Sequence, residues 1–255
     1  MTSRVVITAG ASGIGLGLAR RFAAQGDRVA ICDSDAAAVA DMAKALPDVI
    51  AEVADVTDET QMTAFLGRIE AVWGGVDVVC ANAGTGGPAG RIEDLDYAAW
   101  QACIGVNLHG AFLTCRWAAR LMRAQGAGSI IITSSTAGLF GYPLRSPYAS
   151  AKWALNGLTK TLASELGPAG VRVNAICPGA VEGDRMDRVV AMEAAAGGRS
   201  EDTVRASYVT GVSMRTWVNV DDLADMALFL ASPAASKVSG QIIAVDGHTD
   251  ALVTS

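Results

Sequence analysis

The 255-residue sequence predicts an α/β fold, doubly wound, in which a seven-stranded and mostly parallel sheet is covered by helices on both faces. Three observations carry this expectation. Seven short apolar runs alternate with longer stretches of helical spacing, the order a chain of βαβ units requires. The composition is 51% hydrophobic but only 5% aromatic, with 28 glycines, which suits slim strands buried on both faces and joined by tight turns. The first run also ends in a glycine-rich turn that opens directly into a helix. No Pro- or Ser-rich linker, charge block or repeat breaks the pattern, so residues 1–255 are expected to form one domain.

The first strand is expected over Arg4–Ala9, and the turn from Ala9 to Gly15 delivers the chain to a helix over Gly15–Gln25. Glycines there let the backbone approach an anion closely while the helix N-terminus offers unpaired N–H groups, the ingredients of a pyrophosphate site. The same glycines also serve a tight strand-to-helix turn that binds nothing. The second strand, Arg28–Asp33, ends on an acid at the distance expected of a carboxylate that bonds an adenosine ribose and repels a 2′-phosphate. With no Lys or Arg in Ala9–Gly15 or just after Asp33, NAD is expected over NADP. The competing reading makes Asp33 a helix N-cap.

The third strand is Val49–Ala54, followed by Asp55-Val56 and a helix over Asp58–Val72. The fourth, Val76–Ala81, leads into Asn82-Ala83-Gly84 and the small residues of Gly86–Gly90, after which one long helix is expected over Tyr97–Arg123. The fifth, Ser129–Ser134, leads through Ser135 toward a helix over Tyr148–Leu166. The sixth is Val171–Cys177, with Pro178-Gly179 behind it. The weakly periodic stretch Gly183–Met214 comes next; lying beyond a strand's carboxyl end, it is a candidate substrate lid, or else a surface helix pair. The seventh strand is Gln241–Val245.

Tyr148 and Lys152 stand four residues apart and so share one face of their helix. A phenol is a poor base at neutral pH, but an adjacent ammonium favours the phenolate, so the pair reads as acid/base machinery. Alone it reads as well as a surface aromatic beside a solvated lysine. Context decides. The glycine-rich turn, Asp55-Val56, Asn82-Ala83-Gly84, Asn107, Ser134-Ser135, Tyr148 with Lys152, and Pro178-Gly179, in that order, resemble the short-chain dehydrogenase/reductase family in its compact single-domain branch, from the first strand to the last.

The resemblance implies a Rossmann-like fold and an NAD(H)-dependent oxidoreductase interconverting a secondary alcohol and a ketone. It implies that Ser135, thirteen residues before Tyr148, bonds the substrate oxygen in preference to Ser134. Lys152 then serves the phenolate and the nicotinamide ribose, and Asn107 anchors a water in the proton relay. The cofactor contacts become Gly10, Ser12, Gly13, Ile14, Gly15, Asp33, Asp55, Val56, Asn82, Ala83, Gly84, Tyr148, Lys152, Pro178, Gly179 and Val181, with Asp55 and Val56 at the adenine. A homotetramer is also implied, the helices of Tyr97–Arg123 and Tyr148–Leu166 packing on a neighbour through Trp117, Leu158 and Leu162, unless these belong to the core.

Three positions depart from the family's pattern. Ala9 stands where the first glycine is usual, so a slightly shifted turn is expected; no threonine follows Pro178-Gly179, which reads on as Ala180-Val181-Glu182-Gly183; and His248 replaces a glycine, at the surface or near a subunit contact. Walls of a substrate pocket are expected from Gly86–Gly90, Thr136–Arg145 and Gly183–Met214, with Gly86, Arg145 and Arg185 as substrate contacts. Arg145, Arg185 or Arg188 could meet an anion, or pair with Glu182, Asp184 or Asp187. A polyol, sugar or hydroxy acid is favoured over a steroid.

The net charge of −6 argues against nucleic acid and anionic lipid as partners and for a small molecule. Five cysteines without C-x-x-C spacing read as buried reduced thiols, and no metal site is expected. Met1–Arg4 leaves no room for a secretory signal and no apolar run reaches membrane-span length, so a cytoplasmic location is expected. The rival functions are an NADP(H)-dependent ketone reductase acting on an apolar or acyl substrate, and a non-catalytic nucleotide sensor; a sensor would be expected to lose Tyr148 or Lys152. Sugar-nucleotide epimerases of the extended branch would need more C-terminal chain, and enoyl reductases of related fold a longer tyrosine-to-lysine step.

Overall fold

The computed structural model describes residues 2–250, apart from the side chains of residues 184, 185, 192, 193, 196 and 197. Its strands are β1 (Arg4–Thr8), β2 (Arg28–Asp33), β3 (Ile50–Val53), β4 (Val78–Ala81), β5 (Gly128–Thr133), β6 (Val171–Pro178) and β7 (Ile242–Val245). They form one sheet in the order β3-β2-β1-β4-β5-β6-β7, every neighbouring pair parallel. Side chains alternate between its faces: Val5, Ile7, Val29, Ile31, Val78 and Cys80 enter one core, and Val6, Ala30, Cys32, Val79 and Ala81 the other. Two covered faces explain why the strands read as unbroken apolar runs.

One face is covered by α1 (Gly13–Ala24), α2 (Ala36–Ala45) and α9 (Val220–Ala231), the other by α3 (Glu59–Trp73), α5 (Gly110–Gln125) and α6 (Ser146–Leu166). Helices α1 and α9 cross closely, because a methyl on Gly17 would lie 1.9 Å from Val220 Cγ1. The strand order reverses between β1 and β4, which opens a crevice beyond their carboxyl ends. All five cysteines are buried and form no disulfide among the described residues, and burial pushes the thiols of Cys32, Cys80 and Cys115 up to about 12.

The helix expected over Tyr97–Arg123 is broken. It runs as α4 (Tyr97–Ile104), a π turn over Gly105–His109, and α5. Two contacts account for the break. The Asn107 side-chain Nδ2 donates to the carbonyl of Cys103 at 2.9 Å, and Gly110 is pressed so closely on Val56 that a methyl would meet it at 2.7 Å. Gly110 N then bonds five residues back, to Gly105 O.

Gly183–Met214, expected to be the least regular stretch, carries two helices, α7 (Asp184–Gly197) and α8 (Glu201–Thr210). Val190, Ala194 and Val204 pack there with Tyr208 and Trp217 in a small cluster apart from the main cores. Beyond α8 the chain is tied to the segment after β7, Ser213 N donating to His248 O at 2.9 Å and Met214 N to Gly247 O at 3.1 Å.

Candidate active site

The site is built at the carboxyl ends of β1, β2, β4, β5 and β6. After β1, Ala9 adopts φ +50°, so the alanine takes the left-handed conformation that the family's glycine would supply, and Gly10 N still reaches Cys32 O at 3.0 Å. Gly13 follows at φ +49°, where a Cβ would project into open space, and Gly15 sits so tightly that a Cβ would lie 2.0 Å from Ala9 O. Ser12, the exposed N-cap of α1, makes no side-chain cap, and the first helical bond is Leu16 N to Ser12 O. The N–H groups of Gly13, Ile14 and Gly15 therefore precede the helical ladder and form a donor set fitted to an anion.

Asp33, at the end of β2 and 8% exposed, accepts from Ala11 N and from Asp35 N, each at 3.1 Å. It is not the cap of α2. That role belongs to Asp35, which accepts from Ala37 N and Ala38 N at 2.9 and 3.0 Å. Asp33 is thus fixed against the glycine-rich turn. Asp55 stands in the neighbouring turn after β3, its Oδ1 held by Thr57 N and Thr57 Oγ1 at 2.8 Å each, with buried Val56 behind it.

Asn82 ties three strand ends together. Its N donates to Thr8 Oγ1 at 3.0 Å, its Nδ2 to Thr8 O at 3.1 Å, and its Oδ1 accepts from Thr133 Oγ1 at 3.1 Å, while Ala83 N also reaches Thr8 Oγ1. Beyond it, Gly84 lies beneath two polar side chains: a Cβ there would be 2.9 Å from Asn107 Oδ1 and 3.3 Å from Lys152 Nζ. Asn107 is fully buried; its Nδ2 donates to Thr85 O and Cys103 O at 2.9 Å each, which turns Oδ1 away from both, and Oδ1 has no hydrogen-bond partner among the described residues. Lys152, 3% exposed, donates to Thr133 O at 2.9 Å and lies 5.6 Å from the centre of the half-buried Tyr148 ring.

The two serines after β5 separate cleanly. Ser134 Oγ is buried and donates to Lys152 O at 3.1 Å, whereas Ser135 is half-exposed and accepts from Ala137 N at 3.1 Å. The turn Thr136–Gly138 is fastened to α6 by Asn156 Nδ2 on Gly138 O at 2.8 Å, so Ser135, Tyr148 and Lys152 ride on one packed unit. After β6, Gly179 N reaches Val245 O at 3.1 Å, and Val181 pairs with Val218 through Glu182 N to Val218 O and Val218 N to Ala180 O.

Other expected residues lie in different settings. Arg145 is the residue before α6, its Nη1 3.4 and 3.5 Å from the carbonyls of Gly86 and Gly87. Arg188 is exposed on α7, and the Arg185 side chain falls outside the described residues. Asp187 pairs with Arg205 on α8. Trp117 is buried in its own chain, its Nε1 on Glu70 at 3.2 Å, and Leu158 and Leu162 pack on the same core; the half-exposed aromatics of α5 and α6 are Phe112 and Trp153. His248 is exposed, with Nδ1 2.6 Å from Ser213 Oγ. Thr8, Thr133, Thr85 and Cys103, which hold Asn82, Lys152 and Asn107, were missed by sequence reasoning. Thr8 and Thr133 carried a signal, each being a polar residue that closes an apolar run at a strand's carboxyl end.

Comparison with known proteins agrees with the fold. A family model described as Enoyl-(Acyl carrier protein) reductase matches residues 8–248. The D-beta-hydroxybutyrate dehydrogenase of Rhizobium meliloti (strain 1021) is 33% identical over 254 residues, covering 97% of this chain and 98% of that protein. The galactitol 2-dehydrogenase (L-tagatose-forming) of Cereibacter sphaeroides is 38% identical over 245 residues, covering 94% and 92%. Among solved structures, NAD+-bound xylitol dehydrogenase superposes with a TM-score of 0.91 at 27% identity, over 96% of this chain and 98% of that one. A variant of actinorhodin polyketide ketoreductase with NADPH also reaches 0.91, at 28% identity and 96% of each chain. No helix among the described residues is long and apolar enough to cross a membrane.

Proposed function

The chain belongs to the short-chain dehydrogenase/reductase family, oxidoreductases acting on CH–OH groups, and from that premise we propose that it interconverts a secondary alcohol and a ketone with NAD(H), Tyr148 being the acid/base. The observation that carries the reading is the convergence over Gly84 of a buried ammonium, a buried amide oxygen and the phenol beside them. When bound, the nicotinamide cofactor supplies the hydride acceptor for oxidation and the donor for reduction. Ser135 Oγ and the Tyr148 hydroxyl hold the substrate oxygen, and Tyr148 takes its proton in oxidation or returns it in reduction. Lys152 Nζ stabilises the phenolate, and Asn107 Oδ1 accepts from a water that links Lys152 to solvent.

The donor set suits a dinucleotide at both ends. The free N–H groups at the start of α1 face the pyrophosphate, and Asp33, already oriented by Ala11 N, meets ribose hydroxyls and repels a 2′-phosphate. This favours NAD, although structural relatives are known with either cofactor. A polyol, sugar or hydroxy acid as substrate agrees with the names of the galactitol and hydroxybutyrate enzymes. In this reading α7 and α8 form the lid over one domain, and the enzyme is a cytoplasmic homotetramer in which Phe112 and Trp153, rather than Trp117, meet a neighbour. Tyr148→Phe tests the chemistry: turnover of every alcohol the wild type oxidises falls by about a hundredfold or more, with NADH affinity nearly unchanged. Retained turnover overturns the assignment, and a wild type that prefers NADPH overturns the reading of Asp33.

A further inference from the structure

Deepening the reading above, and resting on it for the identity of the reacting alcohol, we propose that the substrate is a hydroxy carboxylic acid, or the oxo acid in the reverse direction, and that Arg145 is the residue that binds its carboxylate. Arg145 immediately precedes α6 and stands three residues before Tyr148, and its carbonyl accepts Ala149 N at 2.9 Å. That bond keeps Arg145 within one helical turn of Tyr148, close enough for the two to meet the two ends of one short molecule.

The guanidinium is oriented, and no carboxylate among the described residues pairs with it. It approaches the Gly86 and Gly87 carbonyls through one nitrogen at 3.4 and 3.5 Å and lies 6.0 Å from the Tyr142 ring centre. A guanidinium has five N–H donors, so among the described residues most of this one's hydrogen-bonding capacity is unused and no carboxylate offsets its charge. Among the described residues no carboxylate pairs with Arg145, as none does with Arg20, Arg28, Arg91, Arg123, Arg172 or Arg215; what sets Arg145 apart is its place against the Gly86 and Gly87 carbonyls, three residues before Tyr148.

Two further observations point the same way. The first turn of α6 holds no acidic residue and has no side-chain cap, so the positive pole of a 21-residue helix adds to the arginine. The wall behind it is held in a strained form: Gly90 N bonds Leu144 O at 2.9 Å, and Leu144 is kept at φ +62°, the left-handed conformation that a side chain with a Cβ disfavours. That bond joins the Gly86–Gly90 loop, whose first two carbonyls the guanidinium approaches, to the segment carrying Arg145. A planar fork matches the two coplanar oxygens of a carboxylate. Arg188, the other described candidate, is exposed on α7 and has no such mounting.

The test uses 2-, 3- and 4-hydroxy acids of three to six carbons, each against its own carboxamide, with NAD and the full-length wild type, Arg145→Met and Arg145→Lys. The wild type should favour the best acid over its amide by about tenfold or more in kcat/KM, Arg145→Met should bring that ratio to about one, and Arg145→Lys should restore part of it. Equal use of acid and amide by the wild type, or an equal loss on both in Arg145→Met, overturns the proposal. Calorimetric binding of acid and amide to NAD-loaded Tyr148→Phe, with and without Arg145→Met, reads the same preference without turnover. A wild type that turns over nothing defeats the assigned chemistry, while this binding arm still decides the role of Arg145.

Discussion

Replacing Gly84 by alanine places one methyl group where the candidate relay residues meet. The new Cβ would lie 2.9 Å from Asn107 Oδ1 and 3.3 Å from Lys152 Nζ, against ordinary contacts of 3.4–4 Å. Gly84 does not lie in the left-handed region, so the backbone accepts alanine and the effect falls on the two side chains. Clearing the contact needs about 0.5 Å of movement in the Asn107 amide, which stretches its 2.9 Å bonds to Thr85 O and Cys103 O and costs about 1 kcal/mol. A displacement of about 1 Å in a positioned group costs about a hundredfold in rate, so half of that should lower kcat about tenfold. Steady-state NAD reduction, measured beside the urea midpoint of the same preparation, separates the two effects. Wild-type kcat in folded Gly84→Ala protein would refute the argument that Asn107 and Lys152 act from these positions.

Two predictions concern the scaffold. Gly17→Ala should destabilise by about 1–3 kcal/mol, because the 1.9 Å overlap with Val220 Cγ1 outweighs the gain of about 1 kcal/mol from helix propensity; adding Val220→Ala should recover most of the loss, and strictly additive effects in denaturant melts would sink the overlap argument. Arg4 holds the Asp77 carboxyl below the usual carboxylate range, chiefly by hydrogen bonds of 2.7 and 2.8 Å. Since the folded value lies below the unfolded one of about 3.9, the pair's contribution is present above that pH and is lost as pH falls through the folded value. The pair is partly exposed and screened, so Asp77→Asn should cost about 1 kcal/mol or less at pH 7 and flatten the decline below pH 4. Parallel stability curves for the two proteins would count against it.

The sheet was legible because its signal is local to each strand: with both faces covered, every residue from Val5 to Thr8 or Val78 to Ala81 is buried, and the run is apolar without interruption. The same logic failed for Tyr97–Arg123. Its periodicity is helical throughout, and the break depends on a side chain reaching back to Cys103 and on Val56 from another turn. Asp33 was legible as an important acid but not as to which job it did, since an acid before a helix caps it equally well; Asp35, two residues on, took the cap. The partner of Asp187 lies eighteen residues away on α8, and only the packing of α7 on α8 selects Arg205. Trp117 carried no sequence mark that distinguished a core position from a subunit face, and it is buried in its own core.

If Asn107 acts in the proposed relay, the π turn at Gly105–His109 makes chemistry and architecture separable by a very small edit. Such a turn carries one residue more than the regular helix it interrupts, so loss of a single codon there is expected to merge α4 and α5 into one rod whose apolar faces remain in phase. The protein would keep its shape and its Asn82 clamp, while the amide oxygen now held over Gly84 would swing away with its turn. A descendant altered in this way would be a folded but silent relative, one deletion from an enzyme.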